Sequence, residues 1–155
     1  KLSYWAMWIA HLGFALTVIG IAISTGYGIE KDLKMKPKET VEIAGHQVRF
    51  IQEQQIKGAN YHGSMVAFKL DKNAYVYPEK RIYNIGKMVM TDAAIDANLF
   101  RDIYLALGEP IGQDAWAVRV YFKPMIRWIW LGGLFMSLGG FLALYYYRRD
   151  WWYHD

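Results

Sequence analysis

The 155-residue sequence contains no cysteine. This absence excludes a disulfide scaffold, a thiolate metal site, a redox dithiol and covalent haem attachment through thiols of this chain. Proline is scarce, at four residues, while aromatic residues make up 17% of the chain. That balance excludes a disordered or collagen-like protein. Asp, Glu, Lys and Arg are absent from Leu2 to Ile29, so the chain divides into strongly apolar and ordinary polar segments.

Two uncharged segments, residues 4–24 and 128–147, predict transmembrane helices. Each has about 20 residues, which at about 1.5 Å per residue covers a hydrocarbon slab of about 30 Å. Tyr and Trp crowd their ends, as expected at headgroup level. Buried core helices, or a signal peptide for the first segment, fit the run lengths and the missing cleavage site less well. We predict helices at residues 4–25 and 126–147, a domain at 26–124 and a tail at 148–155.

Flanking charges predict the topology. Lys1 precedes the first helix, and Arg148 and Arg149 follow the second, so the positive-inside rule makes both termini cytoplasmic and the middle domain extracytoplasmic. Lys123 and Arg127 at the other end weaken this signal. The net charge of +4 is spread along the chain without a basic stripe, so no nucleic-acid partner is expected.

Alternation of apolar and polar residues predicts short strands in the middle segment. The clearest runs from Trp116 to Lys123, and others lie at residues 46–52, 64–70 and 74–83. Turn residues are found at 44–45, 57–60, 71–73 and 108–110. This spacing predicts a small antiparallel β-rich domain, a sandwich or partly open barrel. Residues 91–107 fit either a helix capped by Thr91 or Asp92 or further strands, and we favour strands.

His11 stands alone in the otherwise apolar first span. An imidazole in hydrocarbon needs a hydrogen-bond or metal partner, because leaving it unsatisfied is costly. The plainer interpretation is a hydrogen bond to a neighbouring helix or a polar cavity. The sharper interpretation is an axial ligand to a buried metal, above all haem iron, for which neutral imidazole is a common donor.

A stripe of small residues follows another face of the same helix, about 130° from His11 at 100° per residue. Such stripes allow helix backbones to approach closely in a membrane. In the second span, Gly132-Gly133 recurs seven residues later as Gly139-Gly140. One face of this helix is predicted to pack on another helix and a second face, with His11, to meet a polar partner. We therefore predict a bundle with further helices outside this chain. The stripe consists of Ala6, Ala10, Gly13, Thr17, Gly20 and Ser24.

The remaining polar candidates are weaker. His46 and His62 lie beside predicted turns, where a solvated histidine is the expected role, and His154 lies in the tail. No HxxxH pair, P-loop or nucleotide fingerprint occurs. No active site of the soluble-enzyme type is predicted. Three aspartates fit no catalytic pattern and are interpreted as turn and surface residues: Asp92, Asp96 and Asp102.

Several blocks resemble one family in the same order along nearly the whole chain. They are AHLG at residues 10–13, NY at 60–61, PEKR at 78–81 with Tyr83, MTDAAI at 90–95, RDIYLALGE at 101–109, residues 116–124, and RWIWLGG at 127–133. Together they resemble the C-terminal part of the CcmF family. These proteins are the large membrane subunits of the cytochrome c maturation haem lyase in bacteria and plant mitochondria.

The resemblance implies the last large periplasmic loop and its two bounding helices, from a many-span inner-membrane protein. Family members receive haem from a haem chaperone and join its vinyl groups to the CxxCH cysteines of apocytochrome c. They also hold a haem b in the membrane between two histidines, and His11 in the AHLG block matches one of them. The second histidine, the tryptophan-rich loop and its flanking histidines have no counterpart in this sequence. Catalysis by this chain alone is therefore not expected, and its start without methionine is typical of a fragment or processed subunit.

The resemblance therefore predicts a segment of a haem lyase, in which His11 is an axial ligand of haem b. The β-rich domain would dock the haem chaperone, apocytochrome c or a thiol-reducing subunit, while the helices contact lipid and the remaining spans of the same protein. The alternative is a non-catalytic membrane assembly or transporter subunit in which His11 only hydrogen-bonds a neighbouring helix.

Overall fold

The computed structural model describes residues 2–71, 74–112 and 114–152. These residues form two compact units, one of helices and one of strands. The helical unit contains α1 (Leu2–Tyr27), α2 (Ile126–Trp152) and the loop Asn98–Arg101. The strand unit contains β1 (Ile29–Met35), β2 (Thr40–Ile43), β3 (His46–Lys57), β4 (Tyr61–Leu70), β5 (Ala74–Val76), β6 (Glu79–Tyr83), β7 (Val89–Asp92), β8 (Ala94–Ala97), β9 (Arg101–Ile111) and β10 (Ala115–Pro124).

Both helices are long and apolar enough to cross a membrane. At about 1.5 Å per residue, each is longer than the hydrocarbon thickness of about 30 Å. α2 begins directly after Pro124 and Met125, with the Trp128 amide donating to the Met125 carbonyl at 3.0 Å. The helix continues to Trp152, so the first five residues of the predicted tail are helical. His154 lies outside the described residues.

The small-residue stripe of α1 is the face that meets α2. Ala6 is 1% exposed, and a Cβ added to Gly13 would lie 2.6 Å from the Gly132 carbonyl oxygen and the Met136 amide nitrogen. A Cβ on Gly139 would lie 2.7 Å from the Ala10 amide nitrogen. These separations leave no room for a side chain, so glycine at these positions lets the two backbones touch. The predicted role of the stripe in helix packing is confirmed.

The strand unit is a sandwich of two sheets. One sheet has the order β1-β10-β9-β8, and the other has the order β2-β3-β4-β6-β7, with β5 paired to β4. β1 runs antiparallel to β10, with Leu33 opposite Val118. The fold class predicted from the sequence, two apolar helices around a small antiparallel β-rich domain, is confirmed.

The core fills the space between the sheets. Val118 and Val120 of β10 point inward, as their alternation with polar residues predicts. Phe50 and Phe68 meet edge to face at 5.2 Å between ring centroids, and burying each such side chain contributes about 1.5–3 kcal/mol. The other fully buried large side chains are Met35, Val48, Val66, Leu70, Pro78, Ile103, Leu105 and Leu107.

Residues 91–107 form the end of β7, β8 and most of β9, with a short loop between the last two, rather than a helix, which confirms the favoured alternative. The predicted turn at Ala44 and Gly45 is also present, with positive φ at both residues. The predicted turn at 108–110 is wrong, because β9 continues to Ile111. Gly108 instead allows β9 and β10 to approach closely, since a Cβ there would lie 2.9 Å from the Ala117 Cβ of β10. Residues 72–73 of another predicted turn lie outside the described ranges.

The two glycine pairs of α2 provide a matched test of helix packing. We expect Gly139→Ala to destabilise the helical unit by about 1–3 kcal/mol, the usual cost of overpacking, because its Cβ would meet the Ala10 backbone. Gly140→Ala is the control, since a Cβ there meets nothing within 4 Å among the described residues. Thermal unfolding of both variants in detergent micelles measures the difference, and equal transitions would contradict the packing.

Candidate functional site

His11 lies exposed on α1, away from the face that packs on α2. Its Nδ1 is 2.8 Å from the carbonyl oxygen of Met7, one helical turn earlier. A carbonyl oxygen can only accept, so Nδ1 donates and carries the ring proton. In the neutral imidazole the other nitrogen, Nε2, then holds a lone pair, and it makes no hydrogen bond to any described residue.

Large apolar side chains surround His11 on the same helix face. They lie at the helical spacings of minus four, minus three, plus three and plus seven residues, which place side chains beside one another. All four are exposed, so together with the imidazole they form an apolar surface that presents one nitrogen lone pair, that of Nε2. They are Met7, Trp8, Phe14 and Val18.

Two further histidines, His46 and His62, belong to the strand unit. His46 is held by Asp71, with Nδ1 2.8 Å from the carboxylate, and its ring lies 5.7 Å from the Phe122 ring. His62 Nδ1 lies 3.3 Å from the Asn84 side-chain oxygen. Among the described residues, no group of three His, Cys, Asp or Glu side chains could hold a metal ion.

The interpretation of the three aspartates as turn and surface residues is wrong for Asp102, which is 5% exposed. It occupies the second position of β9, and the Tyr104 hydroxyl donates toward its carboxylate at 3.5 Å. Asp92 is exposed and accepts from Arg81 at 2.8 Å. A buried aspartate within a strand could not be recognised from alternation, because Asp102 and Ile103 are adjacent and both buried.

A groove of about 490 Å³ lies on the strand unit. Apolar and small residues of β9 and β10 line it together with Arg119, Asp32 and Lys80. Arg119 makes a bidentate pair with Asp32 at 2.6 and 2.9 Å, directly across the β1–β10 ladder. The hydrogen bond from Arg119 lowers the pKa of Asp32 below its ordinary value. Lys80 donates to the Gly108 carbonyl at 2.8 Å and also pairs with Glu109. The basic groups of the groove are thus matched by acids.

An apolar patch covers the hairpin between β6 and β7. β7 is the last strand of its sheet, and all four of its residues are exposed. Ile85 at the turn is 88% exposed, and with Met88 and Met90 it lines a pocket of about 270 Å³. Sequence reasoning missed this patch, although the unbroken apolar run Met88-Val89-Met90 after a turn was a visible signal.

Comparison with known proteins assigns the fold to a family. The family model described as "CcmF C-terminal beta-sandwich" matches residues 26–124. The chain belongs to the CcmF family. It is 44% identical over 147 residues to the "Cytochrome c-type biogenesis protein CcmF" of Escherichia coli (strain K12), covering 92% of this chain and 23% of that protein. It is 46% identical over 145 residues to the protein of the same name from Pseudomonas aeruginosa, covering 91% and 22%.

A solved structure described as "Cytochrome c Heme Lyase CcmF" shares the fold with a TM-score of 0.76 at 18% identity. The match covers 90% of this chain and 24% of that one. The chain therefore spans about a quarter of the length of the CcmF proteins it matches. The resemblance to the C-terminal part of CcmF, drawn from the sequence blocks, is confirmed.

The pair of Asp32 and Arg119 gives a pH-dependent prediction for this CcmF-family domain. Since the folded-state pKa of Asp32 is depressed, its contribution to stability is present above the ordinary value of 3.8 and is lost as the pH falls through the folded value. We expect Arg119→Met to raise the pKa of Asp32 toward 3.8, as measured by NMR titration of the carboxyl carbon in the whole chain. The control Arg49→Met removes a cation from the other sheet and should leave Asp32 unchanged. An unaltered Asp32 titration in Arg119→Met would contradict the pairing.

Proposed function

We propose that this chain forms part of a cytochrome c haem lyase and that His11 supplies one axial ligand to a haem b within the membrane. The observation that carries the proposal is the hydrogen bond from His11 Nδ1 to the Met7 carbonyl. This bond leaves Nε2, the nitrogen that points away from its own helix backbone, as the lone-pair donor. Membership of a family whose relatives are named for cytochrome c biogenesis supports the same function.

The surroundings of His11 fit a haem. A porphyrin is a broad apolar plane, and the exposed ring of large apolar side chains around His11 offers it a matching surface. The imidazole lone pair would satisfy the iron, so neither group would remain unpaired in hydrocarbon. His11 is the single histidine of the two spans, so we propose that the opposite axial histidine belongs to polypeptide outside this chain.

The residues of this chain would bind and orient the group. The Met7 carbonyl fixes the protonated nitrogen and the orientation of the ring, the usual second partner of a ligating histidine. The packing of α1 on α2 reserves the opposite face, so haem and α2 do not compete for the same surface. When bound, haem iron supplies a one-electron redox centre.

We also propose that the strand unit docks a soluble partner of cytochrome c maturation, the haem chaperone, apocytochrome c or the thiol-reducing subunit. The apolar patch on the β6–β7 hairpin supports this role, because exposed methionines adapt to varied partner surfaces. An exposed edge strand can also pair with an extended peptide. We place the unit on the periplasmic side, as the flanking charges predict.

The axial ligand is tested with His11→Ala in membranes that contain the assembled protein. We expect the haem b content per protein to fall at least about tenfold, since even the loss of a ligand's hydrogen-bond partner weakens such sites by about 10–100-fold. The pyridine haemochrome spectrum measures the content, and added imidazole should restore part of it.

Two variants control this experiment. Leu12→Ala removes an exposed apolar neighbour of His11, and His62→Ala removes a histidine of the strand unit. Both should retain haem. Unchanged haem in His11→Ala would refute the ligand and favour the non-catalytic assembly subunit in which His11 hydrogen-bonds another helix.

Docking is tested with a photo-crosslinking amino acid at Ile85, the most exposed residue of the apolar patch. We expect adducts with one of the three maturation partners when the whole system is assembled. Lys36 is the control, because it is exposed in the turn between β1 and β2, next to the opposite edge of the sheet. Equal adduct yields from Ile85 and Lys36, or none from Ile85, would count against docking at the patch.

A further inference from the structure

We infer that the loop Asn98–Arg101 is a lipid-binding element that inserts Leu99 and Phe100 into the bilayer surface beside the start of α2. The inference rests on α1 and α2 spanning a membrane. It does not depend on the haem ligand or on the docking of a soluble partner.

The loop has a fixed conformation. The Asn98 side-chain oxygen accepts from the backbone amides of Phe100 and Arg101, both at 2.9 Å. The Asn98 amide in turn donates to the Arg101 carbonyl at 2.9 Å. These bonds close a tight turn whose tip carries two consecutive large apolar residues.

The loop is bonded to the first turn of α2. The Met125 amide donates to the Phe100 carbonyl at 2.7 Å, and the Trp128 indole nitrogen donates to the Leu99 carbonyl at 3.1 Å. The two carbonyls are therefore engaged by Met125, directly before α2, and by Trp128 in its first turn, and the loop belongs to the same compact unit as the two helices. The position of Leu99 and Phe100 along the helix axis is thereby set.

The two side chains at the tip do not enter a core. Leu99 is 52% exposed and Phe100 is 62% exposed. Because the loop is ordered, more than half of the surface of each side chain would stay hydrated in water, which is unfavourable. Their exposure on a rigid turn is explained if their solvent is the apolar margin of a bilayer.

The start of α2 is at the right depth for this. The apolar stretch Ile126–Arg148 of α2 is about 34 Å long at about 1.5 Å per residue, a few ångströms more than a slab of about 30 Å, which leaves its first turn close to headgroup level. Aromatic residues typical of that level lie at this end of the helix pair, Tyr27 on α1 and Trp130 on α2, 73% and 78% exposed. Arg101 and Arg127 add positive charge near anionic headgroups.

Lipid is favoured over a protein as the occupant because the loop is hydrogen-bonded to the first turn of α2, a helix long and apolar enough to span a membrane. Trp130 and Phe141 on that helix are also apolar and exposed, at 78% and 70%. Contact with the bilayer then explains the exposed apolar side chains both on the helix and on the loop.

Site-directed nitroxide labelling of the whole chain in lipid nanodiscs tests the inference. The sequence has no native cysteine, so Phe100→Cys and Leu99→Cys each give one labelled site. Power saturation with oxygen, which partitions into lipid, and with a water-soluble nickel chelate reports depth. Phe141→Cys is the lipid reference and Lys36→Cys the aqueous reference. Circular dichroism verifies that each variant is folded.

We expect the oxygen-to-nickel accessibility ratio at residues 99 and 100 to lie well above that of residue 36 and below that of residue 141. A ratio equal to that at residue 36 would overturn the inference. Low accessibility to both reagents would also overturn it, since that pattern indicates a protein cover. If residue 141 itself reads as aqueous, the spanning role of α2 fails, and the inference fails with it.

Discussion

Direct backbone contact between the two helices is the constraint on which the helical unit depends. Gly13 on α1 and Gly139 on α2 each face main-chain atoms of the other helix at distances that admit no Cβ. In a bilayer, no hydrophobic force drives apolar helices together, so close dispersion contact has to supply the attraction. The contact also fixes the rotation of each helix. Whatever the opposite face of α1 presents is therefore turned permanently outward.

The rotation of α1 determines which of its side chains face away from α2. His11 lies on the outward face among large apolar side chains, and its ring is held by its own helix rather than by α2. A helix that used the same face for packing and for ligation would have to sacrifice one of them. The strand unit shows a similar separation. Its apolar core lies between the sheets, its ion pairs lie on the outside, and its apolar patch is confined to one edge hairpin.

Sequence reasoning succeeded where a single local pattern determines the structure. Uncharged runs predicted both helices, the small-residue stripe predicted the α1 face that packs, and alternation in β10 predicted the inward side chains. It failed where contacts with a neighbouring strand determine the local structure. Gly108 reads as a turn residue, but its role is set by Ala117 on the neighbouring strand. β1 has no clean alternation, because four of its seven residues are exposed.

The bond between His11 and the Met7 carbonyl has a mechanical consequence. A long side chain can usually swing to follow a displaced ligand, whereas this imidazole is tied to the main chain one turn below its own residue. His11 Nε2 then moves together with α1. Any rotation or translation of α1 within the bilayer would shift Nε2 by the same angle or distance, so local lipid thickness and helix tilt would directly set the position of this nitrogen.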